Sequence, residues 1–225
     1  MKIALVGDYD ATVLAHQAIP GAIERSARAL ATTVEPIWIH SSEVDIQTIA
    51  TVDALWCVPF SPYANPEAVI TVIRYAREHD MPFLGTCAGY QHAVLEYARN
   101  VLGFENADSS EDNPETSMPL ISALACRLAD QADTIYLDRG SRIAEIYQTE
   151  RIAEDYHCGY GVNPDYLSLF ANSEFKFSAC DNNGDPRAFE LSANRFFFGT
   201  AYQPERSSLH NITHPLITAF LMESL

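Results

Sequence analysis

The sequence predicts an α/β fold: a single doubly wound, mostly parallel sheet flanked by helices, with an antiparallel β extension in the second half. Two observations support this prediction. Apolar runs of strand length alternate with helical apolar spacing through the first half, which is typical of parallel strands joined by right-handed crossovers. After the polar segment 105–117, short strand-like runs follow one another, and two of them flank a hairpin turn signal.

The first half supplies the parallel strands and their crossover helices. Continuous or nearly continuous apolar runs predict buried parallel strands at residues 2–6, 34–40, 54–58 and 83–86. Apolar residues at helical spacing predict helices at residues 12–30, 66–78 and 88–102. The Pro20-Gly21 pair predicts a kink or a break in the first helix, because proline lacks the N–H that a helix interior needs.

The second half supplies the antiparallel extension and a last helix. Strand-like runs lie near residues 133–137, 174–180, 186–191 and 196–202. The turn signal DNNGD occupies 181–185, and a helix is expected at about 215–223. Because no internal repeat or linker divides the chain, residues 1–225 are predicted to form one domain of flavodoxin-like type.

Charge and hydropathy exclude several classes of partner. The 225 residues include 14 Lys and Arg against 30 Asp and Glu, for a formal net charge of −16. Such a surface repels phosphate backbones and anionic lipid, so we expect neither nucleic acid nor a membrane as a partner. No apolar run is long enough to span a bilayer, and the N-terminal residues resemble a first strand rather than a signal peptide. We therefore expect a cytoplasmic protein.

The cysteines point to free thiols rather than to a disulfide framework or a metal site. There are five, scattered and without a CxxC pair: Cys57, Cys87, Cys126, Cys158 and Cys180. No metal-ligand spacing occurs, and neither a GxGxxG nor a Walker loop is present. We expect no metal and no cofactor.

The stretch GTCAGYQ at residues 85–91 matches a nucleophile elbow with cysteine in place of serine. Gly85 and Gly89 lack Cβ atoms, so the strand and the helix can approach closely on either side of Cys87. A sulfur at a helix N-terminus is also favoured as a thiolate. The pattern predicts that Cys87 is a nucleophile, and the alternative is a buried cysteine in a glycine-rich turn.

The residues around this elbow closely resemble the glutaminase domain of CTP synthase, a class I glutamine amidotransferase. The similar motifs are YARE at 75–78, PFLG-x-C-x-G-x-Q at 82–91, ARNVLG at 98–103 and A-x-S-x-E at 107–111. A weaker resemblance extends over almost the whole chain. The chain also resembles standalone proteins that are related to the C-terminal region of CTP synthase. No segment resembles the synthetase domain, so the resemblance implies that ammonia, if transferred, goes to a separate synthetase partner chain.

The resemblance assigns roles to several positions. Cys87 would attack the side-chain amide of glutamine, form a thioester and release ammonia. Gln91 and Glu111 stand at substrate-binding positions, and Glu111 would receive the substrate's amino group. The backbone N–H groups of Ala88 and of Phe60 or Ser61 would form the oxyanion site.

Three positions depart from the family pattern. The family's His-Pro-Glu triplet is Gln203-Pro204-Glu205 here, so the acid remains but Gln203 cannot take the thiol proton. Phe60-Ser61 replaces a glycine pair, and Gly159 replaces an arginine that holds the glutamine carboxylate. The resemblance therefore implies an altered substrate or mechanism.

Three hypotheses of function follow. The first is an amidohydrolase or amidotransferase acting on glutamine or another amine-bearing amide, with His157 or His210 as base or with a preformed thiolate. The second is a thiol redox protein that uses Cys87 and Cys158, which the resemblance places in one pocket. The third is an inactive pseudo-glutaminase that acts as a binding or regulatory subunit. A homodimer is also left open by the sequence.

Overall fold

The computed structural model describes residues 1–124 and 132–225, and residues 125–131, which include Cys126, lie outside the described residues. A mixed sheet forms the centre of the protein. Its strands are β1 (Lys2–Val6), β2 (Glu35–Ile39), β3 (Ala54–Cys57), β4 (Phe83–Thr86), β5 (Asp108–Ser109), β6 (Pro119–Leu137), β7 (Arg151–Val162), β8 (Phe175–Cys180), β9 (Pro186–Leu191) and β10 (Phe197–Thr200).

Helices flank this sheet. They are α1 (Leu14–Ala29), α2 (Ile46–Ile49), α3 (Pro66–Glu78), α4 (Ala88–Asn100), α5 (Arg142–Tyr147) and α6 (Pro215–Glu223), with 3-10 helices at Ser41–Glu43, Pro164–Phe170 and Pro204–His210. Helix α1 packs against α6, and α3 packs against α4. No helix of the described part of the chain is long and apolar enough to cross a membrane.

The strand order is β2-β1-β3-β4-β10-β9-β8-β6-β5, with β7 paired to β6. The pairs from β2 to β10 are parallel, and those from β10 through β9 and β8 to β6 are antiparallel. This arrangement confirms the predicted fold class. Strands β3, β4 and β10 are buried along their whole length, which explains why their sequences are almost continuously apolar.

The register between β4 and β10 positions the candidate site. Thr86 at the end of β4 lies opposite Thr200 at the end of β10. Because these strands are parallel, the residues that follow them emerge at the same edge of the sheet. Cys87 follows β4, and Gln203 to Glu205 follow β10 by a few residues. Two segments far apart in sequence are thereby brought together.

Helix α1 differs from its prediction. It runs from Leu14 to Ala29 without interruption, so of the predicted kink or break at Pro20-Gly21 the break is wrong and the kink stays a prediction. Burial of its apolar face, which includes Ile19, Ala22 and Ile23, outweighs the local cost of proline in a helix interior.

The long hairpin of β6 and β7 was missed by the sequence reasoning, apart from the run near 133–137. The strands pair in antiparallel register from Ile121 opposite Val162 to Tyr136 opposite Arg151. The even-numbered positions of β7 are apolar from Ile152 to Val162 with the single exception of Glu154, so a period-two pattern was present and could have identified this strand. This hairpin carries His157 and Cys158 to the site.

Candidate active site

Cys87 occupies a strained turn between β4 and α4. Its φ of 51° and ψ of −102° lie outside the conformations that non-glycine residues prefer, and its N–H donates to the Thr200 carbonyl at 2.8 Å. A Cβ on Gly89 would collide with the Cys57 carbonyl, and one on Gly85 would lie 2.7 Å from backbone atoms of Gly89. Both glycines are thus required by close approach of the strand and the helix.

The Cys87 side chain faces a cavity of about 170 Å³. Eleven residues line it: Val13, Phe60, Ser61, Cys87, Gln91, Glu111, His157, Cys158, Gly159, Tyr160 and Gln203. A second cavity of about 300 Å³ shares Val13, Phe60, His157 and Gln203 with the first and has Arg206 on its wall. The structure therefore brings together the elbow, Glu111, the loop at Phe60 and the hairpin.

Two sulfur atoms lie side by side in this cavity. Cys87 Sγ and Cys158 Sγ are 3.5 Å apart, and both thiols are free and buried. The Gln91 amide Nε2 is 3.2 Å from Cys158 Sγ and donates to the Tyr160 carbonyl at 3.0 Å. The resemblance had placed Cys158 in the same pocket as Cys87, and the geometry adds direct contact between the sulfurs.

The two thiols are shifted in opposite directions. The hydrogen bond from Cys87 lowers the pKa of Cys158 against the effect of burial. The Cys158 thiol is itself placed to donate to the Tyr160 carbonyl, at 3.1 Å. The pKa of Cys87 is raised well above its ordinary value, first by Cys158 and then by burial. These shifts favour Cys158 over Cys87 as the sulfur that ionises first, and a preformed thiolate at Cys87 stays a prediction.

Gln203 stands beside Cys87 as a donor. It is 4% exposed, and its side-chain hydrogen bond to Cys87 acts to lower the pKa of that thiol. Its Oε1 accepts from Arg206 Nη1 at 3.4 Å, which leaves the amide N–H groups for the sulfur. Gln203 can stabilise a thiolate in this way, but an amide has no pKa near neutrality and cannot take a proton.

Glu205 is fully buried, and neither of its carboxylate oxygens makes a hydrogen bond of good geometry. Burial raises its pKa to about 8, and this effect outweighs the nearby backbone N–H, the Arg206 charge and the Thr86 hydroxyl, which act to lower it. Glu205 does not line the cavity that holds Cys87.

The loop at Phe60 retains a glycine-like backbone. Phe60 has a φ of 90°, in the region that glycine adopts most readily, and a cis peptide bond joins Ser61 to Pro62. His16 fixes the start of this loop. Its Nδ1 accepts the Asp10 N–H at 3.0 Å, so its Nε2 carries the proton and donates to the Pro59 carbonyl at 2.9 Å. The sequence reasoning missed His16, which resembles any other residue of an amphipathic helix.

Glu111 supplies the carboxyl group among the side chains that line the cavity. Burial raises its pKa, and a hydrogen bond from Ser61 acts in the opposite direction. Neither Lys nor Arg is among the lining residues in the described part of the chain. The cavity is thus suited to a cation and offers no cationic Lys or Arg to a carboxylate.

The two histidines proposed as bases lie differently. His157 is exposed and lines the cavity, and its backbone carbonyl lies 3.7 Å from the Cys87 sulfur. His210 ends the 3-10 helix Pro204–His210, is exposed and is not among the lining residues. Across residues 1–124 and 132–225, no group of three or more His, Cys, Asp or Glu side chains is arranged to hold a metal ion.

A cysteine elbow at the end of a parallel strand, next to a cavity built from a neighbouring antiparallel hairpin, defines an α/β protein of the class I amidotransferase type. Residues 15–222 match the model of the glutamine amidotransferase class-I family. The chain belongs to this family.

The relatives are consistent with this assignment. The chain is 33% identical over 237 residues to CTP synthase of Sulfolobus acidocaldarius, and the aligned region covers 98% of this chain and 44% of that protein. It is 35% identical over 240 residues to CTP synthase of Caldivirga maquilingensis, with 100% and 44% covered. The chain thus spans less than half the length of these relatives.

Solved structures show the same fold. The glutaminase domain of Trypanosoma brucei CTPS with bound acivicin superposes with a TM-score of 0.89 at 21% identity, over 100% of this chain and 93% of that chain. A glutamine amidotransferase of Thermotoga maritima gives a TM-score of 0.61 at 9% identity, over 91% of this chain and 76% of that chain.

Proposed function

We propose that this protein is a cysteine-dependent amidohydrolase or amidotransferase whose substrate is a small amide that carries an amine. The observation that supports this proposal best is the placement of Cys87 on a strained elbow inside a cavity that also contains Glu111. Strain of this kind is found where a side chain must be held out toward a ligand. The family assignment supports the same class of reaction.

In the proposed reaction, the Cys87 sulfur attacks the amide carbon and ammonia leaves, which gives a thioester that water hydrolyses. Ala88 begins α4, so its N–H has no partner within the helix and can donate to the oxyanion. The backbone N–H of Phe60 or Ser61 is the second proposed donor, and the φ of 90° at Phe60 supports this role. Gln203 would stabilise the thiolate.

The charge of the cavity supports a particular substrate class. Glu111 would pair with the substrate's ammonium group, as a carboxylate does most strongly when partly buried. Because neither Lys nor Arg is among the cavity-lining residues of the described part, a substrate carboxylate would be left unpaired next to Glu111. We therefore expect an amine-bearing amide without an α-carboxylate to react better than glutamine.

Three matched amides test this expectation by ammonia release. They are glutamine, 4-aminobutanamide, which lacks only the α-carboxylate, and glutaramate, which lacks only the amine. We expect 4-aminobutanamide to give the largest kcat/KM and glutaramate the smallest. The variant Glu111→Gln should lose about ten- to hundredfold in kcat/KM on 4-aminobutanamide, the range expected for one charge-assisted hydrogen bond.

The variant Cys87→Ser should abolish ammonia release, whereas Cys180→Ser, on the antiparallel side of the sheet, should not change it. If none of the three amides is hydrolysed and Cys87→Ser leaves the protein's biological effect intact, the pseudo-glutaminase hypothesis is favoured instead. Ammonia that is transferred rather than released would go to a separate synthetase-type chain, and a pull-down that finds no such chain would favour hydrolysis. A cytoplasmic setting is part of the proposal, because it keeps both thiols reduced.

A thiol redox function is the second candidate, and the 3.5 Å separation of the two sulfurs favours it. One equivalent of a hydroperoxide would oxidise the two thiols to a disulfide and be reduced to water or an alcohol and water. Mass spectrometry should then find a Cys87–Cys158 bond and a loss of two hydrogens. If these thiols remain reduced while other cysteines are oxidised, the redox function is excluded.

A further inference from the structure

We propose that Cys158 is the catalytic base that accepts the proton of Cys87. This inference rests on the proposed amide chemistry at Cys87 and assigns the base that Gln203 cannot provide. The contact that carries it is the 3.5 Å approach of Cys87 Sγ to Cys158 Sγ, with Cys87 as the donor. Because the two sulfurs are in direct contact, the Cys87 proton can pass to Cys158 without an intervening group.

The surroundings of Cys158 suit an acceptor of protons. Gln91 Nε2 lies 3.2 Å from its sulfur and stabilises the thiolate as a second donor. The side chain is 7% exposed, which keeps bulk water away from the charge. Burial favours the neutral thiol, and the Tyr160 carbonyl, 3.1 Å from the sulfur, can accept the S–H that Cys158 gains. The hydrogen bond from Cys87 acts in the opposite direction and lowers the pKa of Cys158.

The other groups near Cys87 suit this role less well. The amide of Gln203 is occupied as a donor to the sulfur and as an acceptor from Arg206. His157 contacts the Cys87 sulfur through its backbone carbonyl, at 3.7 Å. Glu205 does not line the cavity, so a substrate proton would not reach it there.

The proposed proton transfers balance over the reaction. The S–H bond of Cys87 breaks as an S–H bond forms on Cys158, and the Cys87 sulfur bonds to the amide carbon. The C–N bond then breaks while Cys158 returns the proton to the leaving nitrogen, which departs as ammonia. In the second half, the Cys158 thiolate takes a proton from water, hydroxide attacks the thioester, and Cys87 leaves with the proton from Cys158.

The pH dependence of alkylation at Cys87 tests this assignment independently of turnover. The fully reduced protein is treated with iodoacetamide, and each cysteine peptide is quantified by mass spectrometry from pH 5 to 10. The two thiols titrate as a pair, so alkylation of Cys87 in the wild type follows the first deprotonation of the pair. Cys158→Ser removes that step, and we expect the apparent pKa of Cys87 alkylation to rise and the rate at pH 7 to fall at least tenfold, which corresponds to a shift of about one unit or more. The serine hydroxyl keeps a polar group at position 158, but it does not ionise in this pH range and so cannot accept the Cys87 proton.

A reciprocal measurement separates the proposed role from a structural one. Removal of the donor in Cys87→Ala should raise the apparent pKa of Cys158 alkylation, which a space-filling Cys158 would not require. The double variant Cys158→Ser/Gln203→His should recover Cys87 reactivity, because it places an imidazole base beside the sulfur. Circular dichroism of each variant checks the fold, and Cys158→Ala is the alternative if the serine variant does not fold.

A rate at Cys87 that stays within twofold of wild type in Cys158→Ser would overturn the assignment. So would an unchanged pKa at Cys158 in Cys87→Ala. Failure of the proposed function gives a different pattern, in which the alkylation shifts appear as expected but none of the three amides is hydrolysed. Loss of amide hydrolysis in Cys87→Ser with normal Cys87 alkylation in Cys158→Ser would retain the function and exclude only the base.

Discussion

Glu205 is a fully buried acid without a well-formed hydrogen bond on either oxygen, and burial raises its pKa to about 8. In the His-Pro-Glu triplet of the resemblance a histidine stands two residues before this acid, and here Gln203 stands in the histidine's place. The uncharged amide of Gln203 does not stabilise the ionised form of Glu205 as a cationic neighbour would. With a pKa of about 8, the acid is mostly protonated at neutral pH.

This shift predicts a pH-dependent stability. The folded pKa of Glu205 is above its ordinary value of 4.5, so its contribution is fully present below pH 4.5 and is lost as the pH rises through about 8. Glu205→Gln cannot ionise and should escape this loss. In urea unfolding, we expect the free energy of unfolding of Glu205→Gln, relative to that of wild type, to increase by roughly a few kcal/mol between pH 5 and pH 9. The exposed control Glu24→Gln should show no such trend, and a constant difference for Glu205→Gln would refute the explanation.

At the scale of elements, the site depends on the contact between β4, β3 and the start of α4. Gly89 is placed where any side chain would collide with the backbone of Cys57 in β3. The collision involves backbone atoms, which cannot rotate away as a flexible side chain can. A larger residue at this position would have to displace the N-terminus of α4 and, with it, the elbow.

The variant Gly89→Ala should therefore be destabilised by about 1–3 kcal/mol in its free energy of unfolding, as overpacked cores are. Alkylation of Cys87 should also change, since the elbow moves. Gly21→Ala is the matched control: its Cβ would lie 3.3 Å from the Ser208 hydroxyl, in a helix interior. Its effect should stay within about 1 kcal/mol, because the helix preference of alanine over glycine offsets the close contact with Ser208. Equal effects of the two substitutions would contradict this account.

At the scale of the whole molecule, the net charge of −16 dominates the long-range electrostatics. Acidic side chains repel one another across a surface with few cations, and this repulsion opposes the compact state. Salt shortens the range of that repulsion, from about 30 Å at 0.01 M to about 8 Å at 0.15 M. The effect belongs to the surface as a whole and not to any single ion pair.

We expect the melting temperature at pH 7.5 to rise when NaCl is increased from 10 to 150 mM. A gain of about 1 kcal/mol corresponds to roughly 2–4 °C for a protein of this size. Near the isoelectric pH of about 4.6 the same step should not raise the melting temperature, because the net repulsion is gone. A fall in melting temperature at pH 7.5 would show that specific ion pairs outweigh the net charge.

The sequence by itself determined the parallel half of the fold and the elbow. Strands β1 and β4 and helix α3 were predicted with their observed bounds, because buried strands and amphipathic helices have strong local patterns. Gly85 and Gly89 were identified as well, because the strand and the helix approach each other closely where these residues lack a Cβ atom. The resemblance named several residues of the pocket, but only the tertiary structure decided their distances and contacts, because the place of β7 depends on long-range pairing with β6. For the same reason, only the folded chain brings Cys158 Sγ within 3.5 Å of Cys87 Sγ, a contact that lowers the pKa of Cys158 and raises that of Cys87.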